Sequence, residues 1–209
     1  MGWPTDFNGW IARVKKWLDV PDLDDDVFGF CLDSANERLN RDLSSQWMEE
    51  SAEFIVTDPD EPIDLYGEVR DYNRMRLVTV RGGLPLVVMA LNEFKIEKLQ
   101  NTGTVPRVYC INKMELLIWP PPTVDSVVDI DYYVKVPALA DDQDDNIFSN
   151  KHPDALLYAA LLEATPFLLE DERLETWAVF YTGIRDAINL AADRATKGST
   201  PLKREIKVM

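Results

Sequence analysis

The strongest pattern in the chain runs from Pro153 to Ala195, where apolar residues recur three and four positions apart, the spacing of one helical face. Leu157, Leu161, Ala164 and Leu168 make that face, and Leu156, Tyr158, Ala160 and Leu162 leave the rest nearly as apolar. A helix apolar most of the way round is covered on several sides. It belongs at the centre of the fold or beneath another subunit. Pro153 suits a first helical turn, where its missing N–H needs no partner, and Asp154 sets a negative charge where the helix dipole favours it. Pro166 removes a helical hydrogen bond and crowds the carbonyl four residues back, so a break is predicted near Thr165. A second helix then carries the stripe Trp177, Phe180, Ile184, Ile188, Ala191 and Ala195, with Arg173, Glu175, Arg185, Asp186, Asn189 and Asp193 opposite.

The N-terminal part has the same period. Phe7, Trp10, Ile11, Val14, Trp17 and Leu18 fall on one face of a helix capped by Thr5 or Asp6 and ended by Pro21. The acidic run Asp24–Asp26 caps and charges the start of another helix, with Phe28, Cys31, Leu32, Ala35 and Leu39 inward.

From about Glu53 the period changes to two. Phe54–Val56 and Ile63–Tyr66 read as short strands flanking the turn Asp58-Pro59-Asp60-Glu61-Pro62. Met75–Val80 and Leu86–Met89 read as a hairpin about Gly82-Gly83. Ala90–Gln100 reads as a helix, and Arg107–Ile111, Glu115–Trp119 and Val127–Val136 as further strands. In the last, Val128, Ile130, Tyr132, Val134 and Val136 alternate with Val127, Asp129, Asp131, Tyr133 and Lys135, as in an antiparallel sheet with one wet face. Pro120-Pro121-Pro122 cannot donate ladder bonds and marks a connection.

The expected architecture is α+β: a bundle formed by N- and C-terminal helices with an inserted antiparallel β subdomain. The expected divisions are 1–52 for the N-terminal helices, 53–137 for the insertion, 138–196 for the helices completing the bundle and 197–209 for a basic tail. The acidic stretch 138–146 leads back to the bundle.

Charge narrows the function. Over 209 residues the formal net charge is -15. That opposes wrapping nucleic acid, which requires Lys and Arg to displace counterions from phosphates. An acidic surface can still line a passage to which DNA must not stick. No stretch of about 18 uncharged apolar residues is present, so no membrane span is expected, and MGWPTDFNGW lacks the blocks of a signal peptide. The two cysteines, Cys31 and Cys110, stand in apolar contexts and read as buried thiols. With a single histidine they cannot fill a usual zinc site.

No catalytic constellation emerges. Asp142, Asp144 and Asn146 imitate the start of a calcium loop, but Ile147 replaces its glycine and Pro153 its closing glutamate. His152 stands beside a helix start with no nucleophile motif. Glu49, Glu50 and Glu53 can be drawn as a hydrolase pair, yet among 37 acidic residues such pairs arise by chance. No enzyme activity, cofactor or metal is expected. The end of the chain differs, because GSTPLKREIKVM turns basic in an acidic protein. Leu202, Lys203, Arg204, Ile206, Lys207 and Val208 are the candidate partner-binding residues, an interaction tail by its charge asymmetry.

The chain resembles the head-to-tail connector, or adaptor, proteins of tailed bacteriophages. The residues that carry the likeness are VYCINKMELLIWPPP, VVDIDYYVKVPAL and DNIFSNKHPDALLYAALLEATPFLLEDERLETWAVFYTGIRDAINLA, within about residues 26–195. It departs at Leu65–Tyr72, where this chain has LYGEVRDY. The resemblance implies a homo-oligomeric ring, twelve-fold like the portal, lying beneath the portal at the head–tail interface of the virion. Its implied partners are the portal protein, a tail or nozzle protein and passing double-stranded DNA bound without sequence preference. A carboxylate-dependent wall hydrolase of the virion neck is the alternative, and a monomeric cytoplasmic binding module a third reading.

Overall fold

The computed structural model describes residues 2–19, 24–140, 145–167 and 172–197. In chain order the elements are α1 (Phe7–Leu18), α2 (Asp25–Asp42), β1 (Glu49–Ile55), β2 (Ile63–Asp64), α3 (Leu65–Glu68), β3 (Tyr72–Val80) and β4 (Val87–Val88). Then come α4 (Leu91–Gln100), β5 (Val108–Asn112), β6 (Glu115–Trp119), β7 (Val127–Val134), α5 (Ile147–Lys151), α6 (Pro153–Glu163) and α7 (Leu174–Lys197). The fold is α+β. The chain divides into two compact units, one made of residues before Glu49 and from Val136 onward, the other of Glu49–Lys135.

The first unit is helical and centred on α6. Ala155, Leu156, Leu157, Ala159, Ala160 and Leu161 are all buried, so nearly every face of this helix is covered, mainly by α2 and α7. The helix stops at Glu163 and passes into a 3-10 turn over Thr165–Phe167, as Pro166 requires. Leu168, expected on the same stripe, lies outside the described residues.

Helix α1 starts at Asp6, whose carboxylate accepts from the Gly9 N–H at 2.6 Å. It ends with Asp19 in the left-handed region at φ 58; Pro21 lies outside the described residues. Trp10, Ile11, Val14 and Leu18 are buried as the stripe predicts, but Trp17 is largely exposed. Helix α2 is capped by Asp24 and buries Phe28, Cys31, Leu32, Ala35 and Leu39.

Two asparagines on the buried face of α2 hold the chain where it re-enters this unit. Asn40 donates to the Val136 carbonyl at 2.9 Å and accepts from the Val136 N–H at 2.8 Å, while Asn36 donates to the same carbonyl at 2.8 Å. Asn146 donates to Asn36 and to the Pro137 carbonyl. With Ser149 it also forms a reciprocal capping box at the start of α5. The calcium-loop imitation therefore ends in a buried cap, with Asp142 and Asp144 outside the described residues.

The stripe on α7 is rotated from the expected one. Trp177, Tyr181 and Ala192 are buried, whereas Phe180, Ala191 and Ala195 are exposed. The reason is polar. The Tyr181 hydroxyl donates to Asp42 at 2.7 Å, and Asn189 donates to the Asp42 carbonyl and accepts from the Ser44 N–H. These bonds fix the face of α7 that meets the end of α2, and a phenylalanine at 180 has no such handle.

The second unit holds two sheets. One has the order β1-β7-β3, all antiparallel, with β7 central. Val128, Ile130 and Tyr132 point to its apolar side with Phe54 and Val78. On its other side Arg76 pairs with Glu49, and Arg81 with Glu53 and Asp129. The other sheet has the order β2-β6-β5-β4, with Phe94 of α4 packed on Val108 and Cys110.

Two strand expectations are corrected here. The strand expected over Ile63–Tyr66 is only Ile63–Asp64: Leu65 and Tyr66 lie in α3, whose cap is Asp64 accepting from the Tyr66 N–H, and β1 and β2 belong to different sheets. The hairpin about Gly82-Gly83 closes only as far as Leu86, whose N–H reaches the Val78 carbonyl at 2.8 Å. Pro85 supplies no donor, and the next residues, Val87 and Val88, pair in parallel with β5 in the second sheet.

Candidate functional site

The residues with chemistry of their own are used internally. Glu49 accepts from Tyr133 besides pairing with Arg76, and Glu50 accepts from the Tyr132 hydroxyl. On a strand, Glu49 and Glu50 point to opposite faces, and Glu49 and Glu53 stand about 13 Å apart along it. A glycosidase pair needs its carboxylates roughly 5–9.5 Å apart on either side of one bond. These three glutamates do not form such a pair. Among the described residues no group of three His, Cys, Asp or Glu is placed to hold a metal ion. Cys31 and Cys110 are buried free thiols, and burial, with Glu163 nearby, pushes the Cys31 thiol up to about 11.

His152, the chain's single histidine, is half-buried. It ends α5 and precedes Pro153, and its Nε2 lies 2.7 Å from the Ser45 hydroxyl, which also accepts from the Trp47 N–H. A groove of about 350 Å³ adjoins it, walled by Trp47, Asp154, Ile184, Ile188 and Ala191. Burial lowers the His152 pKa, with Asp154 opposing. Because the folded-state pKa is depressed, this histidine's contribution to stability is complete above the unfolded value of about 6.5 and is lost as pH falls below it. Wild-type melting temperature should therefore drop more steeply from pH 7 to pH 5 than that of His152→Asn. Equal slopes would show that the imidazole titrates normally.

What the described surface offers is docking area. On the helical unit Trp17 meets Tyr158 edge-on at 6.1 Å, and Tyr158 meets Phe180 at 5.3 Å, giving a row of aromatic rings across α1, α6 and α7. Val179 and Leu190 continue it along the outer face of α7, with Val179 70% exposed. Arg173 holds the first and last of these helices together: its guanidinium donates to the Trp17 and Leu18 carbonyls and lies over the Trp177 ring. On the β unit Leu84, Val87, Val88, Ile96 and Leu99 are exposed. The tail residues singled out in the sequence, Leu202, Lys203, Arg204, Ile206, Lys207 and Val208, lie outside the described residues, so none of them is placed by the structure.

Sequence reasoning missed the outward role of Phe180 and Val179 and the bracing by Tyr181 and Asn189. It also missed Asn36 and Asn40, although two amides four residues apart on an otherwise apolar helical face are a readable signal for a buried polar anchor.

The family model described as SU10 adaptor protein matches residues 5–205, and the chain belongs to that family. It is a phage adaptor protein, a structural component. A search of the curated proteins found no match. No helix of the described residues is long and apolar enough to cross a membrane.

Proposed function

We propose that the protein forms a closed ring beneath the portal, twelve-fold like the portal itself, that extends the DNA channel and joins the capsid to a tail or nozzle protein. It is made in the host cytoplasm and resides at the head–tail interface of the virion. The observation that carries this reading is the second apolar face of α7. Trp177 and Tyr181 serve the core while Val179, Phe180 and Leu190 face outward. Large apolar side chains displayed outward on one helix suit a covering partner, and a ring requires one patch to meet a different patch on the next copy.

The net charge of -15 suits a channel wall. Repulsion acting within about 8 Å keeps exiting DNA from adhering. Leu202, Lys203, Arg204, Ile206, Lys207 and Val208 make the attachment to the portal, the cations meeting acidic side chains and the apolar residues entering grooves between portal subunits.

The test is to mix the purified protein with portal rings and image the product. Averages should show a second ring with the portal's symmetry and an open centre. Portals that stay bare at micromolar protein, with Phe180→Asp behaving like wild type, would sink the reading.

A further inference from the structure

The two edges of the β1-β7-β3 sheet differ. The β3 edge is closed by irregularity: register shifts fall between Tyr72 and Arg74 and between Met75 and Leu77, and the chain folds back so that Thr79 bridges Pro85. Bulges and covering loops of this kind keep an edge from accepting another strand. The β1 edge shows no register shift. Its seven residues pair with β7 in unbroken register, and β7 is its only strand neighbour among the described residues.

The Val56 N–H donates to the Ser126 carbonyl at 2.9 Å. By alternation Glu50, Ala52 and Phe54 turn their backbone groups toward β7, and Glu49, Ser51, Glu53 and Ile55 turn theirs outward. Ser51, Glu53 and Ile55 are exposed. Glu49 and Glu53 already pair with Arg76 and Arg81, but together with the exposed Glu50 they keep the edge acidic, and such an edge selects an extended segment carrying cations.

We propose that residues 199–209 of a second copy add to β1 as a parallel strand before a portal is present. The segment PLKREIKVM has the pattern this edge needs. With Lys203 opposite Glu49, Arg204 falls opposite Glu50 and Lys207 opposite Glu53. The same register sets Ile206 beside Ala52 and Val208 beside Phe54, on the apolar side of the sheet. Main-chain hydrogen bonds supply affinity and the alternating side chains supply register, as in other strand additions. Twelve residues follow Lys197, enough chain to span roughly 40 Å when extended.

The inference builds on the tail as a docking segment and gives it an acceptor in the free protein; the portal takes the segment over on docking. Because the acceptor is on another copy, the arrangement links free subunits without requiring the ring.

The full-length protein carrying Ser51→Cys and Glu205→Cys tests the register. Adjacent strands lie about 4.8 Å apart, within the 4.4–6.8 Å that a disulfide spans between Cα atoms. Mild oxidation without portal should give an intermolecular ladder on a non-reducing gel, and Ser51→Cys with Lys203→Cys, two residues out of register, should react at least tenfold more slowly. Equal rates, no crosslink, or a disulfide within one chain would each overturn the proposal.

Reversing Lys203, Arg204 and Lys207 to Glu leaves the described fold untouched and should abolish the ladder; a ladder that persists overturns the charge pairing. The portal role is read separately from attachment to heads. Crosslinking in register together with tail-deleted protein that still attaches keeps this inference and removes the portal role. Failed crosslinking together with lost attachment does the reverse.

Discussion

Replacing Trp177 with alanine should lower stability by about 3–5 kcal/mol, the range for truncating a buried aromatic side chain. The indole is 3% exposed and lies under the Arg173 guanidinium, which itself holds the last carbonyls of α1. Truncation opens a cavity and loosens that clasp together. Phe180→Ala, three positions on, makes the contrast: Phe180 is 49% exposed, and its main loss is the ring contact with Tyr158. That contact is worth about 0.5–1.5 kcal/mol. Urea midpoints at constant slope would report both. Were the two variants equally unstable, or their order reversed, α7 would be turned with Phe180 inward and the docking face would vanish.

The helical elements were legible because their signals are local. The start of α6 at Pro153, its end before Pro166 and the Asp caps of α1 and α2 each follow from one or two side chains acting on nearby backbone. The rotation of α7 was not legible in the same way. Trp177-Phe180-Ile184 and Trp177-Tyr181-Ile184 are equally good stripes by spacing, and the choice was made by Asp42, far away in sequence, accepting from the Tyr181 hydroxyl. Periodicity cannot see a partner on another helix.

The β unit shows the same division. β7 was readable from its alternation, and it is the middle strand of its sheet. The pairing of β1 and the crossing of Val87 and Val88 to the second sheet were not, since each depends on backbone groups that any residue supplies. Leu86 still bonds to Val78, and the Met89 N–H already donates to the Tyr109 carbonyl, so the switch of sheets is complete within three residues. Pro85 was the available clue, because a residue without a donor cannot continue a ladder. The exposed apolar residues were partly legible: an apolar surplus on the C-terminal helices could be read, but not which residues carry it.

Deleting residues 199–209 should leave melting behaviour unchanged and abolish stable attachment to portal-bearing heads. Gly198 and Pro201 both disfavour continuing α7, so the segment is proposed to depart from the helix there. The buried residues of α7, Trp177, Tyr181 and Ala192, all precede the segment to be deleted. Ordering the segment on a partner costs conformational entropy, which makes a single tail a weak tether. In the proposed ring the later contacts would be effectively intramolecular, and weak tethers would then add to a tight joint. Loss of the tail should therefore be cooperative: rings mixed from full-length and truncated chains should hold until a critical fraction is truncated, then release. A linear decline in attachment would mean that each tail acts alone. Truncated protein that still closes DNA-filled heads at the wild-type rate would show that the portal is gripped by another surface, of which the Trp17–Tyr158–Phe180 row is the next to mutate.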